Sequence, residues 1–244
     1  MNTNVYKNKN VLITGASGGL GKELALSFLN KGSNLLLTST NQEKLTTLKN
    51  ELKANKKDSQ QIFCKTCNLE SPEEIYNLSK YARQHIKNID ILVNVAGIFL
   101  VSDFIENTID DFDKSFSVNV RAPFLLSQAL VPQMIKNKFG KIINIASSSA
   151  YGGHKQTAIY CASKHALLGL SRSLYDELKD QNVRVYCISP GSIKTPMGKL
   201  IKNQVFDSFI DAKELAEYIL FNCSFENQMI NQELRLNRFK PEFI

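Results

Sequence analysis

A tyrosine and a lysine one helical turn apart carry the most specific chemistry in the sequence. Tyr160 and Lys164 lie four residues apart in a segment with helical spacing, so we expect both side chains on one face. A tyrosine hydroxyl has a pKa of about 10, and a neighbouring ammonium group lowers that pKa because it favours the phenolate. The pair therefore predicts proton exchange with a carbinol or carbonyl oxygen, although the isolated spacing is also typical of a surface pair.

Three consecutive serines follow a predicted strand that ends at Ala146. Ligands of parallel sheets bind at the carboxyl ends of the strands, which is where Ser147, Ser148 and Ser149 are expected. A serine hydroxyl in that crevice can donate a hydrogen bond to a carbonyl oxygen and polarise it, as oxyanion donors do. Any one of the three is equally explained as a turn residue, but three in succession favour one that faces the crevice.

A glycine-rich turn follows the first predicted strand. Between residues 14 and 21, Gly15 can turn sharply off the strand, Gly19 lets backbone approach a pyrophosphate, and Gly21 lets the next helix pack closely on the sheet. The N-terminus of that helix offers free N–H groups and a partial positive charge to phosphates. No Gly-Lys-Ser/Thr ends the turn, so a P-loop is excluded. A turn without a ligand is the alternative, but placement after the first strand favours a dinucleotide site.

The end of the second predicted strand bears on which dinucleotide is bound. An acidic residue about 20 positions after the glycine turn binds the ribose 2′-hydroxyl of NAD. Here Ser39, Thr40 and Asn41 are neither acidic nor basic. Small hydroxyl and amide groups can donate to a 2′-phosphate, and no carboxylate repels it. The sequence therefore favours NADP as the cofactor, with NAD as the alternative.

Short apolar strands that alternate with helical segments must position these candidate residues. Long helices are predicted over Val118–Lys138, entered through Asn119 and broken by Pro123, and over Tyr160–Lys179. The predicted strands are Val11–Thr14, Leu35–Thr38, Ile62–Cys67, Ile91–Val95, Lys141–Ala146, Arg184–Ser189 and Glu233–Leu236. The alternation predicts an α/β fold, with a parallel sheet covered by helices on both faces. We expect a single doubly wound Rossmann-type domain over residues 1–244, with a seven-stranded parallel sheet.

Composition excludes several classes of protein. With 43% hydrophobic and 22% charged residues, the chain is ordinary for a globular protein and is not disordered or collagen-like. The net charge is +7, but the densest lysine stretch, residues 44–57, lacks interleaved aromatic residues and is expected to be a solvated helix face. The longest nearly apolar stretch, residues 91–101, is shorter than the roughly 20 residues of a membrane-spanning helix. We therefore expect a cytoplasmic protein without nucleic-acid or membrane partners.

Two of the five cysteines have the CxxC spacing found in redox and zinc sites. Cys64 and Cys67 lie on a predicted strand, where an odd separation points two side chains to opposite faces. No second CxxC exists to complete a metal site. We expect reduced cysteines in the core, and no metal.

Six motifs occur in chain order, each beside the expected element. They are Thr14, Gly15, Gly19 and Gly21 of TGxxxGxG; Asn94, Ala96 and Gly97 of a sequence close to NNAG; Asn119; Ser147, thirteen residues before the tyrosine; Tyr160 and Lys164 of YxxxK; and Pro190, Gly191 and Thr195 of PGxxxT. In these motifs the chain resembles the short-chain dehydrogenase/reductase family. The resemblance extends from Asn10 to about Asn237, which is nearly the whole chain.

The resemblance implies a role for each of these residues. Tyr160 would be the acid–base group, and Lys164 would bind the nicotinamide ribose and lower the tyrosine pKa. Ser147 would position the carbonyl, and Asn119 would hold a water in a proton relay to Lys164. Thr195 and the backbone of Ile193 would hold the carboxamide. The cofactor-binding residues that the resemblance implies are Gly15, Ser17, Gly19, Leu20, Gly21, Ser39, Thr40, Asn68, Leu69, Asn94, Ala96, Gly97, Tyr160, Lys164, Pro190, Gly191, Ile193 and Thr195.

The chain departs from the family pattern in several places. Val95 replaces the second asparagine of NNAG, and Asn68 stands where an aspartate usually follows the third strand to bind adenine. The chain lacks the glycine pair common after the last strand and ends instead in NRFKPEFI, residues 237–244. The segment between Thr195 and Asp211, where the family has its substrate lid, is short. A short lid implies an open site for a large or carrier-bound substrate.

Within the family, the pattern is most similar to 3-oxoacyl-acyl-carrier-protein reductases. This implies interconversion of a ketone and a secondary alcohol on a small-molecule or carrier-bound substrate, and the positive net charge suits an acidic carrier. A sugar-nucleotide or polysaccharide-precursor dehydrogenase/reductase is the alternative that the short lid and unusual tail leave open. An epimerase or dehydratase is disfavoured because the chain stops at its seventh strand. A non-catalytic dinucleotide-sensing protein is disfavoured because Tyr160 and Lys164 are both present. By analogy, the family implies a homotetramer or homodimer built through the two long helices.

Overall fold

Seven parallel strands form one sheet in the computed structural model, which describes residues 5–202 and 204–242. The strands are β1 Asn10–Thr14, β2 Asn34–Ser39, β3 Ile62–Thr66, β4 Ile91–Asn94, β5 Gly140–Ile145, β6 Val183–Pro190 and β7 Glu233–Leu236. Their order is β3-β2-β1-β4-β5-β6-β7, and every neighbouring pair is parallel. The predicted seven-stranded parallel sheet is confirmed, and each predicted strand agrees with the observed one to within one residue at each end.

Helices cover both faces of this sheet. They are α1 Gly19–Asn30, α2 Gln42–Lys53, α3 Pro72–Ile86, α4 Ile109–Phe116, α5 Ala122–Lys136, α6 Ala158–Leu178 and α7 Ala212–Asn222. Successive strand residues point to opposite faces. Ile13 therefore lies in the apolar cluster that contains side chains of α1, α2 and α7, whereas Leu12 lies in the cluster of α3 and α5. The predicted doubly wound Rossmann-type fold is confirmed.

The strand order reverses between β1 and β4, which creates a crevice at the carboxyl ends of these strands. The register aligns Thr14 with Asn94 and Asn94 with Asn144, so β1, β4 and β5 reach this edge together. The segments that leave these strands carry the glycine turn, the NVAG sequence and the serine run. The topology therefore brings the candidate residues to one edge of the sheet.

The helix predicted over Val118–Lys138 is interrupted near its start. Residues Ser117–Arg121 form a π-helical turn between α4 and α5, and α5 itself begins at Ala122. Pro123 lies in the first turn of α5, where its missing N–H breaks no α-helical hydrogen bond. Asn119 is at the centre of the π-helical turn. Such turns are rare and often occur at functional sites, because they displace a side chain from the regular helical position.

The two cysteines of the CxxC sequence point to opposite faces, as expected. Cys64 packs against the cluster of α1, whereas Cys67 lies in the cluster of α3 and α5. Both are free thiols, and burial raises the pKa of Cys67 to about 12. Within the described ranges no group of three side chains has the arrangement to hold a metal ion.

Two further observations concern the surface and the tail. Across residues 5–202 and 204–242, no helix combines the length and the hydrophobicity that a bilayer crossing requires. Residues 237–242 of the unusual C-terminal tail return toward the segment that follows β6. Phe243 and Ile244, which end that tail, lie outside the described residues.

Candidate active site

The glycine turn after β1 is closely packed at three positions. Gly15 has a φ of 61°, and a Cβ atom on it would lie 2.8 Å from the Cα atom of Ala96. A Cβ on Gly21 would lie 2.3 Å from the carbonyl oxygen of Gly15. A Cβ on Gly19 would lie 2.6 Å from Cγ2 of Thr195. Glycine is therefore required for the turn itself and for the approach of the segment that follows β6.

The N-terminus of α1 has the features of a phosphate-binding site. Gly18 is its N-cap residue and supplies no side-chain hydrogen bond, and the first turn contains no acidic residue. The first N–H groups of an α-helix have no intrahelical acceptor, and they carry a partial positive charge. Leu20 is buried beneath this turn. The arrangement fits the pyrophosphate of a dinucleotide, for which the turn supplies backbone donors at a point where side chains are small.

The hydroxyl groups of Ser17 and Ser39 join the glycine turn to the end of β2. Ser17 Oγ donates to Ser39 Oγ at 2.9 Å, and the backbone N–H of Asn41 also donates to Ser39 Oγ, at 3.1 Å. The Asn41 side chain caps α2 by accepting from the N–H of Lys44. Thr40 is exposed between them. The end of β2 thus presents hydroxyl and amide groups, and no carboxylate that would accept from a ribose 2′-hydroxyl.

The segment after β3 is held by its own side chains. Asn68 is exposed, and its Oδ1 accepts from the N–H of Glu70 at 3.0 Å. The N–H of Asn68 in turn donates to Glu74 Oε2 at 2.7 Å. Leu69 is buried beneath this turn. The turn presents a polar side chain and an ordered backbone near the end of β2.

Thr14 fixes the loop after β4. Its Oγ1 accepts from the N–H groups of both Val95 and Ala96, at 3.1 and 3.2 Å. Asn94 Nδ2 donates to Asn144 Oδ1 at 2.8 Å, which links the ends of β4 and β5. Within the described part of the chain, the buried Oδ1 of Asn94 has no hydrogen-bond partner. A buried polar atom left in this way is costly unless a ligand or water satisfies it, so it fits a site that holds a polar cofactor.

Asn119 is buried and makes four hydrogen bonds. Its Nδ2 donates to the carbonyl oxygen of Ile98 at 3.0 Å, to Ser163 Oγ at 3.0 Å and to Ser115 Oγ at 3.3 Å, and its Oδ1 accepts from the N–H of Ile98 at 2.8 Å. A Cβ on Gly97 would lie 3.3 Å from Asn119 Oδ1 and 3.5 Å from Lys164 Nζ. The side chain of Asn119 thus joins the β4 loop to α6, directly beside Lys164. Its expected role in a water relay stays a prediction.

The structure brings Tyr160 and Ser147 together. Ser147 lies near the Tyr160 hydroxyl and favours its phenolate form, and Tyr160 is only 9% exposed. Ser147 Oγ also accepts from the N–H of Ser149 at 3.1 Å, which fixes its orientation and leaves its hydroxyl proton to donate. The ring of Phe99 packs edge-on against Tyr160, with the ring centroids 4.8 Å apart. The phenol is therefore held between a polar partner and an apolar wall.

Lys164 lies at the same site, and burial disfavours its charged form. Its Nζ donates to the carbonyl oxygen of Ile145 at 2.9 Å and lies 5.7 Å from the centroid of the Tyr160 ring. Burial lowers the pKa of Lys164 to about 8, and nearby Cys187 opposes the shift.

The expectation that the pKa of Tyr160 is lowered is wrong for the protein's own residues. Burial raises the pKa of Tyr160, and the nearby Ser147 hydroxyl opposes this rise. Desolvation of the phenolate is the largest effect on the pKa of Tyr160, and Lys164, which is itself desolvated, does not reverse it. The chemistry that the site offers is nevertheless that of a phenol positioned to exchange a proton with a bound oxygen atom.

The PGxxxT segment closes the crevice from the β6 side. Pro190 is buried at the end of β6, and the N–H of Gly191 donates to the carbonyl oxygen of Leu236 at 2.8 Å. Ile193 forms an isolated parallel bridge with Ile210. Thr195 Oγ1 accepts from the N–H of Gly198 at 3.1 Å, and its methyl group lies against Gly19. The backbone of Ile193 and the side chain of Thr195 are thus carried to the glycine turn.

The segments that follow β4 and β6 differ in charge. The N–H of Ser102 donates to the carbonyl oxygen of Gln156, and Gln156 Nε2 donates to Asp103 Oδ1, both at 2.9 Å. These bonds attach the acidic segment 103–113 to the loop before α6. The segment after β6 is basic instead, with Lys194, Lys199 and Lys202 following in sequence.

Sequence reasoning did not find several residues of this site. Ser163 and Asn144 bind the predicted site residues Asn119 and Asn94, and Arg238 contacts the lid segment from the C-terminal tail. Ser163 lies beside the tyrosine and on the opposite side of the helix from solvent, which a helical projection indicates. Asn144 is recognisable only from strand register. For Arg238 the sequence contains no signal.

Comparison with known proteins agrees with this fold and geometry. The chain is 35% identical over 213 residues to the 3-oxoacyl-[acyl-carrier-protein] reductase of Rickettsia typhi, covering 87% of this chain and 84% of that protein. Among solved structures, the 3-ketoacyl-(acyl-carrier-protein) reductase from Brucella melitensis complexed with NADH is similar with a TM-score of 0.86 and 25% identity, covering 96% of this chain and 98% of that one. The L-sorbose reductase from Gluconobacter frateurii complexed with NADPH and L-sorbose gives a TM-score of 0.85 and 25% identity, covering 94% and 95%.

A sequence model described as short chain dehydrogenase matches residues 9–205. That range contains the glycine turn, the π-helical turn, Ser147, Tyr160 and Lys164, and the PGxxxT segment. The chain therefore belongs to the short-chain dehydrogenase family of oxidoreductases.

Proposed function

We propose that this protein is an NADP(H)-dependent oxidoreductase that interconverts a ketone and a secondary alcohol, with a 3-oxoacyl thioester on an acyl carrier as its substrate. One observation carries the proposal. Tyr160 lies beside Ser147 and one helical turn from the buried Lys164, at the switch-point crevice of the sheet. A phenol beside a serine hydroxyl and a buried lysine, at the edge of the sheet where ligands bind, is placed for proton exchange with a bound oxygen atom.

The residues of the crevice fit a nicotinamide dinucleotide. The uncapped N-terminus of α1 and the glycine turn would hold the pyrophosphate, and the unpartnered Oδ1 of Asn94 would accept from the cofactor or from a water beside it. Ser39, Thr40, Asn68 and Leu69 would surround the adenosine half. Gly97, Lys164, Pro190, Gly191, Ile193 and Thr195 would surround the nicotinamide half. When bound, the cofactor supplies or accepts the hydride.

The residues of this chain carry out the proton transfer of the proposed reaction. In the direction of reduction, Tyr160 Oη donates its proton to the carbonyl oxygen as that oxygen becomes a carbinol. The Ser147 hydroxyl, oriented by the N–H of Ser149, donates a hydrogen bond to the same oxygen and stabilises its developing negative charge. Lys164 stabilises the phenolate that remains, and the π-helical turn at Asn119 holds the loop beside Lys164 in place.

The preference for NADP over NAD rests on the end of β2. The hydroxyl groups of Ser17 and Ser39 and the exposed Thr40 provide hydrogen-bond donors, and no carboxylate is present at residues 39–41. A 2′-phosphate therefore meets donors without repulsion, whereas a free 2′-hydroxyl lacks the acidic acceptor that favours NAD.

The substrate class rests on similarity and on the mouth of the crevice. The 3-oxoacyl-[acyl-carrier-protein] reductase of Rickettsia typhi is 35% identical to this chain, and Lys194, Lys199 and Lys202 supply positive charge for an acidic carrier. The structural similarity to L-sorbose reductase favours a second candidate, a sugar or sugar-nucleotide substrate. A non-catalytic dinucleotide-sensing role is the remaining alternative.

We also propose a homotetramer or homodimer that acts in the cytoplasm, each chain forming a single oxidoreductase domain. A groove of about 510 Å³ lies between the π-helical turn, α5 and α6, and Phe116, Val120 and Leu170 are among its lining residues. Phe124 at its edge is 43% exposed. Burial of this apolar surface by a second copy would stabilise a two-fold assembly. The free cysteines of the described residues suit a reducing compartment.

Steady-state kinetics of the purified protein test the proposal. The substrates are a short 3-oxoacyl thioester, a ketose and a 4-keto sugar nucleotide, and each is measured with NADPH and with NADH. Turnover of the thioester that prefers NADPH supports the proposal. Turnover of only the sugar substrates would assign a sugar or sugar nucleotide as the substrate instead of the thioester. Cofactor binding without any turnover would support the sensing role. Size-exclusion chromatography with light scattering measures the assembly.

A further inference from the structure

The C-terminal tail contacts the segment that follows β6. After β7, Arg238 Nη1 donates to Ser208 Oγ at 3.1 Å, and the N–H of Glu242 donates to the same oxygen at 3.4 Å. The N–H of Val205 donates to the carbonyl oxygen of Glu242 at 3.0 Å. Three contacts thus join residues 238–242 to residues 205–208, across 30 or more positions of the sequence. They tie the tail to the segment that we call the lid, residues 195–209.

Arg238 also packs on the apolar part of the lid. Its guanidinium carbon lies 5.2 Å from the centroid of the Phe209 ring, a favourable distance for a cation–π interaction. Phe209 is only 4% exposed and packs against Phe206, with ring centroids 5.3 Å apart. A Cβ on Gly198 would lie 3.3 Å from Cδ2 of Phe209, so the ring lies directly on that glycine.

The contacts continue from the lid to the glycine turn. The N–H of Gly198 donates to Thr195 Oγ1 at 3.1 Å, and a Cβ on Gly198 would lie 2.2 Å from the carbonyl oxygen of Ile193. The Thr195 methyl group lies against Gly19, the residue beside which a pyrophosphate would bind. A continuous series of contacts therefore runs from Arg238 through Phe209, Gly198 and Thr195 to the phosphate-binding turn.

We propose that Arg238 is a positioning residue, which holds the lid, and with it Thr195, in the conformation that binds the nicotinamide half of the cofactor. Among the described residues of the lid, 195–202 and 204–209, the helical structure is two short 3₁₀ turns, Gly198–Leu200 and Phe206–Ser208. Ordering such a segment on binding costs conformational entropy, and a contact that orders it beforehand increases affinity. The inference rests on the proposed function in one respect, that the crevice binds a nicotinamide dinucleotide.

The test is the dissociation constant of NADPH, followed by its fluorescence on the full-length protein without any acyl substrate. Adenosine 2′,5′-bisphosphate, which lacks the nicotinamide half, is measured beside it. We expect Arg238→Ala to raise the Kd of NADPH about fivefold, or about 1 kcal/mol, and to leave the Kd of the bisphosphate within about twofold. Arg238→Lys keeps a cation over Phe209 and should restore most of the affinity. Lys240→Ala, which removes an equal charge from an exposed tail residue, is the matched control.

The outcomes separate this inference from the proposed function. Unchanged NADPH affinity in Arg238→Ala, or an equal loss for both ligands, overturns the positioning role while the proposed function stands. A wild-type protein that binds neither NADPH nor NADH overturns the proposed function and this inference with it. If Arg238→Ala does not fold, Ser208→Ala removes the acceptor for Arg238 and carries the same test. In that variant, a selective loss of NADPH affinity of about threefold or more supports the inference, and a change within about twofold overturns it.

Discussion

The ammonium group of Lys164 donates a hydrogen bond to the carbonyl oxygen of Ile145 at 2.9 Å, at the last residue of β5. The lysine is therefore anchored to the sheet, on the same helix as Tyr160. Both side chains are buried, so each disfavours its charged form.

Tyr160→Phe removes the proposed acid–base group and keeps the ring that packs against Phe99. We expect turnover with any productive ketone to fall by about 10²–10⁴-fold, the usual contribution of a positioned acid or base. The Kd of NADPH should rise by no more than about fivefold, because one hydroxyl contact to the cofactor is lost while the glycine turn and α1 are unchanged. Turnover is measured by NADPH oxidation and affinity by NADPH fluorescence. Retained turnover in this variant contradicts the assignment, and lost affinity indicates a structural defect instead.

The buried charge of Lys164 makes stability depend on pH. Its pKa is about 8 in the folded protein, against 10.5 for an unperturbed lysine. The unfolded chain therefore binds more protons between these values, and the free energy of unfolding rises with pH across this window. We expect Lys164→Met to be more stable than the wild type at pH 7, by at most about 3 kcal/mol, and this advantage to shrink as the pH approaches 10.

Urea denaturation at pH 7 and pH 10 measures that difference. Lys240→Met removes an exposed lysine and is the control, since its effect on stability should not change with pH. A stability difference between Lys164→Met and the wild type that is the same at both pH values contradicts the depressed pKa.

Gly15→Ala should destabilise the protein by about 1–3 kcal/mol, because the new Cβ requires a strained backbone conformation at positive φ. The same Cβ would lie 2.8 Å from Ala96 Cα, so the loop after β4 must also move. Gly152→Ala is the control, since a Cβ there meets nothing within 4 Å. Denaturant midpoints of the two variants give the comparison. Equal midpoints would show that the turn tolerates a side chain.

Much of the fold follows from sequence because its signals are local. Each strand is an apolar run bounded by turn residues, and strands that alternate with helices leave few topologies. The convergence of Ser147, Tyr160 and Asn119 follows from the same topology, since the carboxyl ends of neighbouring strands meet at one edge.

The features that sequence did not predict depend on long-range geometry. Nothing in the sequence around Asn119 distinguishes a π-helical turn from a continuous helix, and the contact of Arg238 with Ser208 joins segments 30 residues apart. The direction of the Tyr160 pKa shift could not be read from the four-residue spacing to Lys164. Spacing fixes which face two side chains share, but the pKa depends on how deeply both are buried.

Ser39→Asp tests the basis of cofactor choice. The new carboxylate would accept a hydrogen bond from a ribose 2′-hydroxyl and repel a 2′-phosphate. We expect the ratio of kcat/KM for NADPH over NADH to fall by about tenfold or more, which is about 1.4 kcal/mol. Ser39→Asn is the matched control, because it has the same size without the charge and also loses the hydrogen bond from Ser17. An equal change in both variants would assign the effect to that hydrogen bond and not to charge.

Lys199→Glu distinguishes a carrier-bound substrate from a free one. Lys199 is exposed on the lid, and an acidic carrier that approaches the mouth of the crevice is attracted to it. We expect the KM for a 3-oxoacyl group on acyl carrier protein to rise about five- to tenfold at low ionic strength, with kcat unchanged, because a rim charge acts mainly on encounter. The KM for a neutral N-acetylcysteamine thioester should not change. Lys44→Glu, on α2 and away from the lid, makes the same change of charge and is the control. If the two lysine variants affect the carrier-bound substrate equally, the overall charge of the protein attracts the carrier, and the lid has no special part in docking.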